Sequence, residues 1–106
     1  MPKYLYMSRH TAQGAQGLVK EGGTSRRAAT ERAVASVGGK LESFYYAFGG
    51  SDVFIIVDVP DNAAAAALSL ATGASGAVST ETIVLLTPEE IDEATRKGAA
   101  YRPPGG

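Results

Sequence analysis

The residues able to do chemistry are few, and His10 heads them. It is the single histidine of a 106-residue chain that has no cysteine, and it closes an alternating run just ahead of a glycine-bearing segment. An imidazole gains and loses its proton near neutral pH, which suits a general base or a haem ligand. It is also what a solvated strand end carries. One histidine without cysteine excludes a three-histidine zinc site, a zinc ribbon and thiol chemistry within one subunit, so no metal site is expected. Asp52 and Asp58 fall on one face of a strand, about 20 Å apart along it, too far for a glycosidase-type carboxylate pair. If the strands bearing them neighbour that of His10, a His–Asp dyad forms, and His10 with Asp52 is the sharpest catalytic candidate. Asp52 otherwise caps its turn, and Asp58 reads as an edge charge against aggregation.

The candidate ligand-binding residues are Tyr6, Ser8, Tyr45, Tyr46, Thr80 and Thr82. Tyr45 and Tyr46 are adjacent in a strand and face opposite ways, so one of them at most lines a given groove. Aromatic walls suit a planar organic ligand, and equally pack a subunit interface. Thr80 and Thr82 put two hydroxyls on one face, though threonine is also an ordinary strand residue. Arg26 and Arg27 open a helix, where two cations attract an anion or stay solvated. Gly14-x-x-Gly17 lacks the lysine and serine of a phosphate loop, and Gly38-Gly39-Lys40 precedes a strand, the wrong context for a nucleotide motif.

Local signals set the elements that position these groups. Residues 3–10 and 40–48 read as strands, and 53–59, with five β-branched residues in seven, as the clearest strand. Gly49-Gly50-Ser51-Asp52 is a tight turn between the last two, which makes a hairpin. Thr11 caps a short helix to about residue 20. Thr24 or Ser25 caps a second over 26–37, with Ala29, Ala33, Val34 and Val37 as its buried stripe. Asp61 caps an alanine-rich helix from 63 to 71. A fourth strand spans 78–86. Thr87-Pro88-x-Glu90 starts a last helix that stops at Gly98, and 99–106 is a flexible tail after a single domain of 1–98. The plan is α+β: a ferredoxin-like β-α-β-β-α-β with an antiparallel sheet and a C-terminal helix.

Alternation divides the sheet into two faces. Val53, Ile55, Val57 and Val59 suit packing beneath alanine-rich helices, while Asp52, Phe54, Ile56 and Asp58 point the other way. In the first strand Tyr4, Tyr6, Ser8 and His10 oppose Leu5, Met7 and Arg9, and His10 is placed on the face left open. In the fourth, Thr80, Thr82 and Val84 oppose Glu81, Ile83 and Leu85. Helices on one side leave an apolar face bare, and a second copy in a two-fold dimer is the simplest cover. The other cover is the C-terminal helix folding back.

With these residues in place, the chain resembles the GYD-domain proteins of the dimeric α/β-barrel superfamily. The likeness rests on Pro2-Lys3-Tyr4, the Thr11-x-Gln13-Gly14 turn, Gly38-Gly39-Lys40-Leu41-Glu42-Ser43-Phe44-Tyr45, Gly50-Ser51-Asp52-Val53, Pro60-Asp61 and Val78-Ser79-Thr80-Glu81-Thr82. It covers about residues 2–92. The Gly-Tyr-Asp that names the family reads Gly50-Ser51-Asp52 here, with serine in place of tyrosine. The resemblance implies a ferredoxin-like subunit that dimerises through its sheet, with a hexamer as a larger assembly, and supplies no reaction.

Composition narrows the function classes. Apolar residues are 44% and charged residues 20%, with a net charge of −1. Such a balance gives no basic field for nucleic acid or an anionic membrane. No apolar run approaches the ~20 residues of a membrane span, and the start lacks the apolar core of a signal peptide, so a cytoplasmic place is expected. Three readings follow. One is a small-molecule enzyme performing cofactor-free oxidation or isomerisation in a groove. The second is a non-catalytic ligand-binding or regulatory oligomer, and the third an assembly module.

Overall fold

The computed structural model describes residues 1–106. In chain order it has β1 (Lys3–His10), α1 (Ala12–Glu21), α2 (Gly23–Ser36), β2 (Lys40–Tyr46), β3 (Val53–Asp58), α3 (Asn62–Ala74), β4 (Val78–Leu85) and α4 (Pro88–Lys97). The strands make one open antiparallel sheet in the order β2-β3-β1-β4. No helix is long and apolar enough to cross a membrane.

The helix starts follow their caps. Thr11, Asp61 and Thr87 each accept from a backbone N–H one turn on, and at Thr87 the Glu90 carboxylate returns the bond to complete a capping box. The second helix departs from the sequence reading. It begins at Gly23, three residues early, with Gly22 at φ 84° and no side-chain cap. A positive φ is open to glycine, so the chain turns between α1 and α2 without a linker. The β2–β3 connection differs too, since neither Gly49 nor Gly50 takes a positive φ.

Register decides which face of β1 is inside. Tyr4, Tyr6 and Ser8 lie opposite Val57, Ile55 and Val53, and all but Ile55 are buried. The core unites Tyr4, Tyr6, Val57 and Val59 with Val34 of α2 and Ala65 and Leu68 of α3. The expectation for β1 is therefore reversed: Tyr4, Tyr6, Ser8 and His10 face the helices. The open face carries Leu5 and Met7 against Ile56 and Phe54, and Ile83 against Leu5. The tyrosines belong inside because their hydroxyls have partners there. Tyr4 donates to the Asn62 side chain, and Tyr6 to the Ala65 carbonyl at 2.6 Å, so both tie β1 to the start of α3.

Burial pushes the Tyr6 phenol up to about 12. Its folded-state value lies above the ordinary 10.0, so its contribution is fully present below pH 10 and fades as pH rises toward 12. Two units correspond to ~2–3 kcal/mol. Urea midpoints measured from pH 8 to 12 are expected to fall for the native chain, and to fall less steeply for Tyr6→Phe. That variant starts ~1 kcal/mol lower through the lost hydrogen bond.

At the other end of the open face, Lys3 Nζ lies 2.7 Å from Asp58 Oδ1 and 3.0 Å from Glu42 Oε2. The bond to Asp58 first, then that to Glu42, raises the Lys3 ammonium above its usual range. A register shift between Leu41 and Ser43 accompanies the placing of Glu42 there. Asp58 stands in an interior strand, paired to Lys3, and is not the edge charge the sequence suggests.

The C-terminal helix does not fold back: every residue of α4 is exposed. The surface totals 7147 Å², roughly 1,500 Å² above the ~5,600 Å² of a compact monomer of this mass. The radius of gyration is 16.8 Å, against ~13 Å for a compact chain of this length.

A cleft between sheet and helices as the candidate functional site

Helix α2 turns Ala29, Thr30 and Ala33 toward the sheet. Side chains this small cannot fill the layer above Tyr6 and Ile55, and a cleft remains between the sheet and the three helices. It has two adjoining lobes that share Ser8, Arg26, Thr30, Ile55 and Thr72. The inner lobe, of about 130 Å³, runs from Tyr6 and Val57 to Leu68 and Thr80. The outer lobe, of about 330 Å³, is bounded by His10, α1, Phe44 and Tyr46. The inner lobe is mostly apolar with a few polar groups, the usual make-up of a small-molecule site, while the outer lobe is mixed, with Gln13, Glu21, Arg26 and Ser75 among its walls.

His10 stands at the outer end. Its side chain is 17% exposed, and Nδ1 lies 3.8 Å from Asp52 Oδ2. The same carboxylate oxygen accepts the His10 backbone N–H at 2.9 Å, while the Asp52 N–H donates to the Ser8 carbonyl at 2.8 Å. Asp52 thus spans from the hairpin to β1 and does not cap its own turn. It holds the backbone of His10 directly and faces the ring at ion-pair range. His10 and Asp52 are thus neighbours, as the sequence allows, but on the helix side of the sheet and with no hydrogen bond between their side chains.

Ser8 Oγ and Thr80 Oγ1 are 3.0 Å apart across β1 and β4, and both line the inner lobe. Tyr6 lines it with its ring, its hydroxyl being spent on Ala65. Tyr46 walls the outer lobe, packs edge-on to Phe44 at 5.0 Å and donates its hydroxyl to the Gly23 carbonyl at 3.2 Å. Burial raises the Tyr46 phenol above its usual range, against the opposing pull of Arg26 and Arg27.

The structure therefore gathers His10, Tyr6, Ser8, Tyr46 and Thr80 around one cleft, and Asp52, which lines neither lobe, meets it through His10. It leaves out two candidates. Tyr45 pairs with Phe54 on the opposite face and is 70% exposed. Thr82 is exposed on the outer strand and lines neither lobe. Three cleft residues carry little sequence signal. Arg26 lines both lobes, with its Nη1 3.5 Å from Glu21 Oε1. Thr30 and Thr72 line both too, each returning its hydroxyl to a carbonyl one turn back. A threonine among alanines was the available hint. No group of three or more His, Cys, Asp or Glu stands close enough to hold a metal ion.

The family profile of the GYD domain matches residues 4–95. No curated protein matches the chain, and no solved structure does.

Proposed function

We propose that this chain, which belongs to the GYD-domain family, binds a small, mostly apolar molecule in the helix-face cleft, where His10 exchanges a proton with it. The observation that carries the reading is the placing of His10, its backbone held by Asp52 and its ring 3.8 Å from that carboxylate, at the outer end of a cleft whose inner lobe is mostly apolar. An imidazole in such a place serves as a general base toward an acidic C–H, and return of the proton to another carbon is an isomerisation. Geometry comes first in such an assignment, and here one nitrogen, Nε2, is left free of Asp52.

The subunit is the ferredoxin-like one, as the strand order and the all-antiparallel pairing support. Its bare sheet face, with Phe54, Ile56, Leu5 and Met7, meets that of a second copy, and two such sheets close a dimeric barrel. The surplus of exposed area is of the size a stable dimer removes, about 800 Å² or more per partner. Dimers of this kind can assemble further, to a hexamer.

A second reading is binding without turnover. It is favoured by the carboxylates around the cleft, both already engaged, Asp52 on the His10 amide and Glu21 on Arg26. That leaves no free second acid. Acetophenone in D₂O separates the two readings. Its methyl protons are expected to exchange faster with the protein than in buffer, by ¹H NMR, and His10→Gln is expected to lower the protein-dependent rate by about 100-fold or more. Equal rates for the variant and the native chain would remove the proton role and leave binding.

A further inference from the structure

We infer that the Ser8–Thr80 hydroxyl pair is the anchor for a neutral carbonyl oxygen, so that the cleft takes small ketones in preference to carboxylates. This rests on the cleft being the ligand site and goes on to say what the ligand must carry.

A count of hydrogens leads to it. Ser8 is the single polar residue among the nine buried ones, at 6% exposed. Each hydroxyl brings one proton and accepting lone pairs. The two oxygens are 3.0 Å apart, and each has the other as its one side-chain hydrogen-bond partner. One proton lies between them, whichever residue donates. The second has no protein acceptor, and it sits at the edge of a lobe walled by Ala29, Ala33, Val34 and Ile55. A donor without an acceptor in apolar surroundings costs free energy, and a ligand oxygen removes that cost. One donor suits one carbonyl.

The charges argue the same way. Arg26 is the one lysine or arginine lining either lobe, and Glu21 already answers it at 3.5 Å. A carboxylate would share that guanidinium with Glu21, so Arg26 offers it only part of a positive charge, and an anion gains little there for the water it gives up. A ketone meets no such penalty.

The anchor also fits the base. His10 follows Ser8 by two residues on the same face of β1, about 7 Å further along the strand. A ketone held by its oxygen at Ser8–Thr80 extends its carbon skeleton toward the imidazole. The α-proton passes to the imidazole nitrogen. The C–H electron pair becomes the new C=C, and the carbonyl π pair moves onto oxygen, where the hydroxyl stabilises it by a hydrogen bond and keeps its proton. Return of the proton to carbon regenerates imidazole and ketone.

Isothermal titration with three probes of similar bulk tests the anchor: acetophenone, ethylbenzene and benzoate. Acetophenone is expected to bind about tenfold or more tighter than the other two. The double variant Ser8→Ala/Thr80→Val should lose that advantage while still binding ethylbenzene, which shows that its cleft is folded. Thr80→Ser, which restores a hydroxyl, should keep it. Benzoate binding as tightly as acetophenone, or acetophenone binding undiminished in the double variant, overturns the anchor. If ethylbenzene binds and acetophenone gains nothing over it, the anchor fails and the cleft survives as a ligand site. If none of the three binds, the cleft reading falls and the anchor with it.

Discussion

Ile56→Lys is expected to break the proposed sheet-to-sheet dimer into monomers. Ile56 sits near the middle of the open face, opposite Leu5 in the register of β1 and β3. On that face no helix covers Leu5, Met7, Phe54 or Ile56, because α1, α2 and α3 all pack on the other side and α4 stands exposed. In a monomer the lysine costs little, since its ammonium reaches water. Between two sheets it must be desolvated without a counter-charge, and a two-fold axis brings its copy into the same layer. Like charges across an interface cost several kcal/mol, and a loss of ~3 kcal/mol raises the dissociation constant by about 100-fold. Sedimentation equilibrium reads this directly. Because the substitution lies on the face away from the core, the monomer should keep its helical signal by circular dichroism. A variant that remains dimeric would mean that the sheets do not face one another.

Gly39→Ala should destabilise the fold by ~2–3 kcal/mol. Gly39 joins α2 to β2 at a close approach of backbones. An added Cβ would lie 2.5 Å from the Asp58 carbonyl oxygen, 2.6 Å from Val59 Cγ1 and 3.0 Å from Val34 Cγ1. Val34 and Val59 are 2% and 0% exposed, so neither has room to give way. The strain passes into the centre of the core and not to solvent. Gly17→Ala offers the opposite case. Its Cβ would have nothing within 4 Å, and the residue lies inside α1. There alanine should stabilise by ~0.5–1 kcal/mol, through lower backbone entropy in the unfolded chain. Guanidinium midpoints of the two variants should therefore move in opposite directions from the native value. Equal midpoints would mean that the sheet end and α2 are not packed as closely as described.

Local chemistry made much of this architecture legible. Thr87, Pro88 and Glu90 announce α4 through a capping box that needs nothing from the rest of the chain. Asp61 marks the start of α3 in the same local way. The β-branched side of β3 points to its own burial, and Val53, Ile55 and Val57 do face the helices. The inner side of β1 was not legible, for a physical reason. Both of its faces are apolar: Tyr4 and Tyr6 on one, Leu5 and Met7 on the other. Aromatic rings suit an interface as well as a core, and the register against Val57 and Ile55 is what chooses. That one choice moved His10 from the open face to the cleft.

The pairing of His10 with Asp52 could be anticipated from strand adjacency, while the contact through the backbone N–H could not. A groove between sheet and helices belongs to the enzyme reading of the sequence, whereas the shape and lining of the cleft do not. The cleft arises because Ala29, Thr30 and Ala33 are too small to reach the sheet, and the inter-element distance that leaves them short is a property of the packed fold. In the same way Arg26 reads as a solvated first-turn cation until Glu21 and both lobes are seen around it.

The most direct test of the cleft as the functional site is a ¹⁵N–¹H NMR titration of the native protein with acetophenone. The shifts are expected to fall on the amides of Ser8, His10, Val53, Ile55 and Thr80, with those of Lys40, Ser43 and Tyr45 unmoved. Saturable shifts confined to Met7, Phe54 and Ile56 would place the ligand on the other side of the sheet and contradict the assignment.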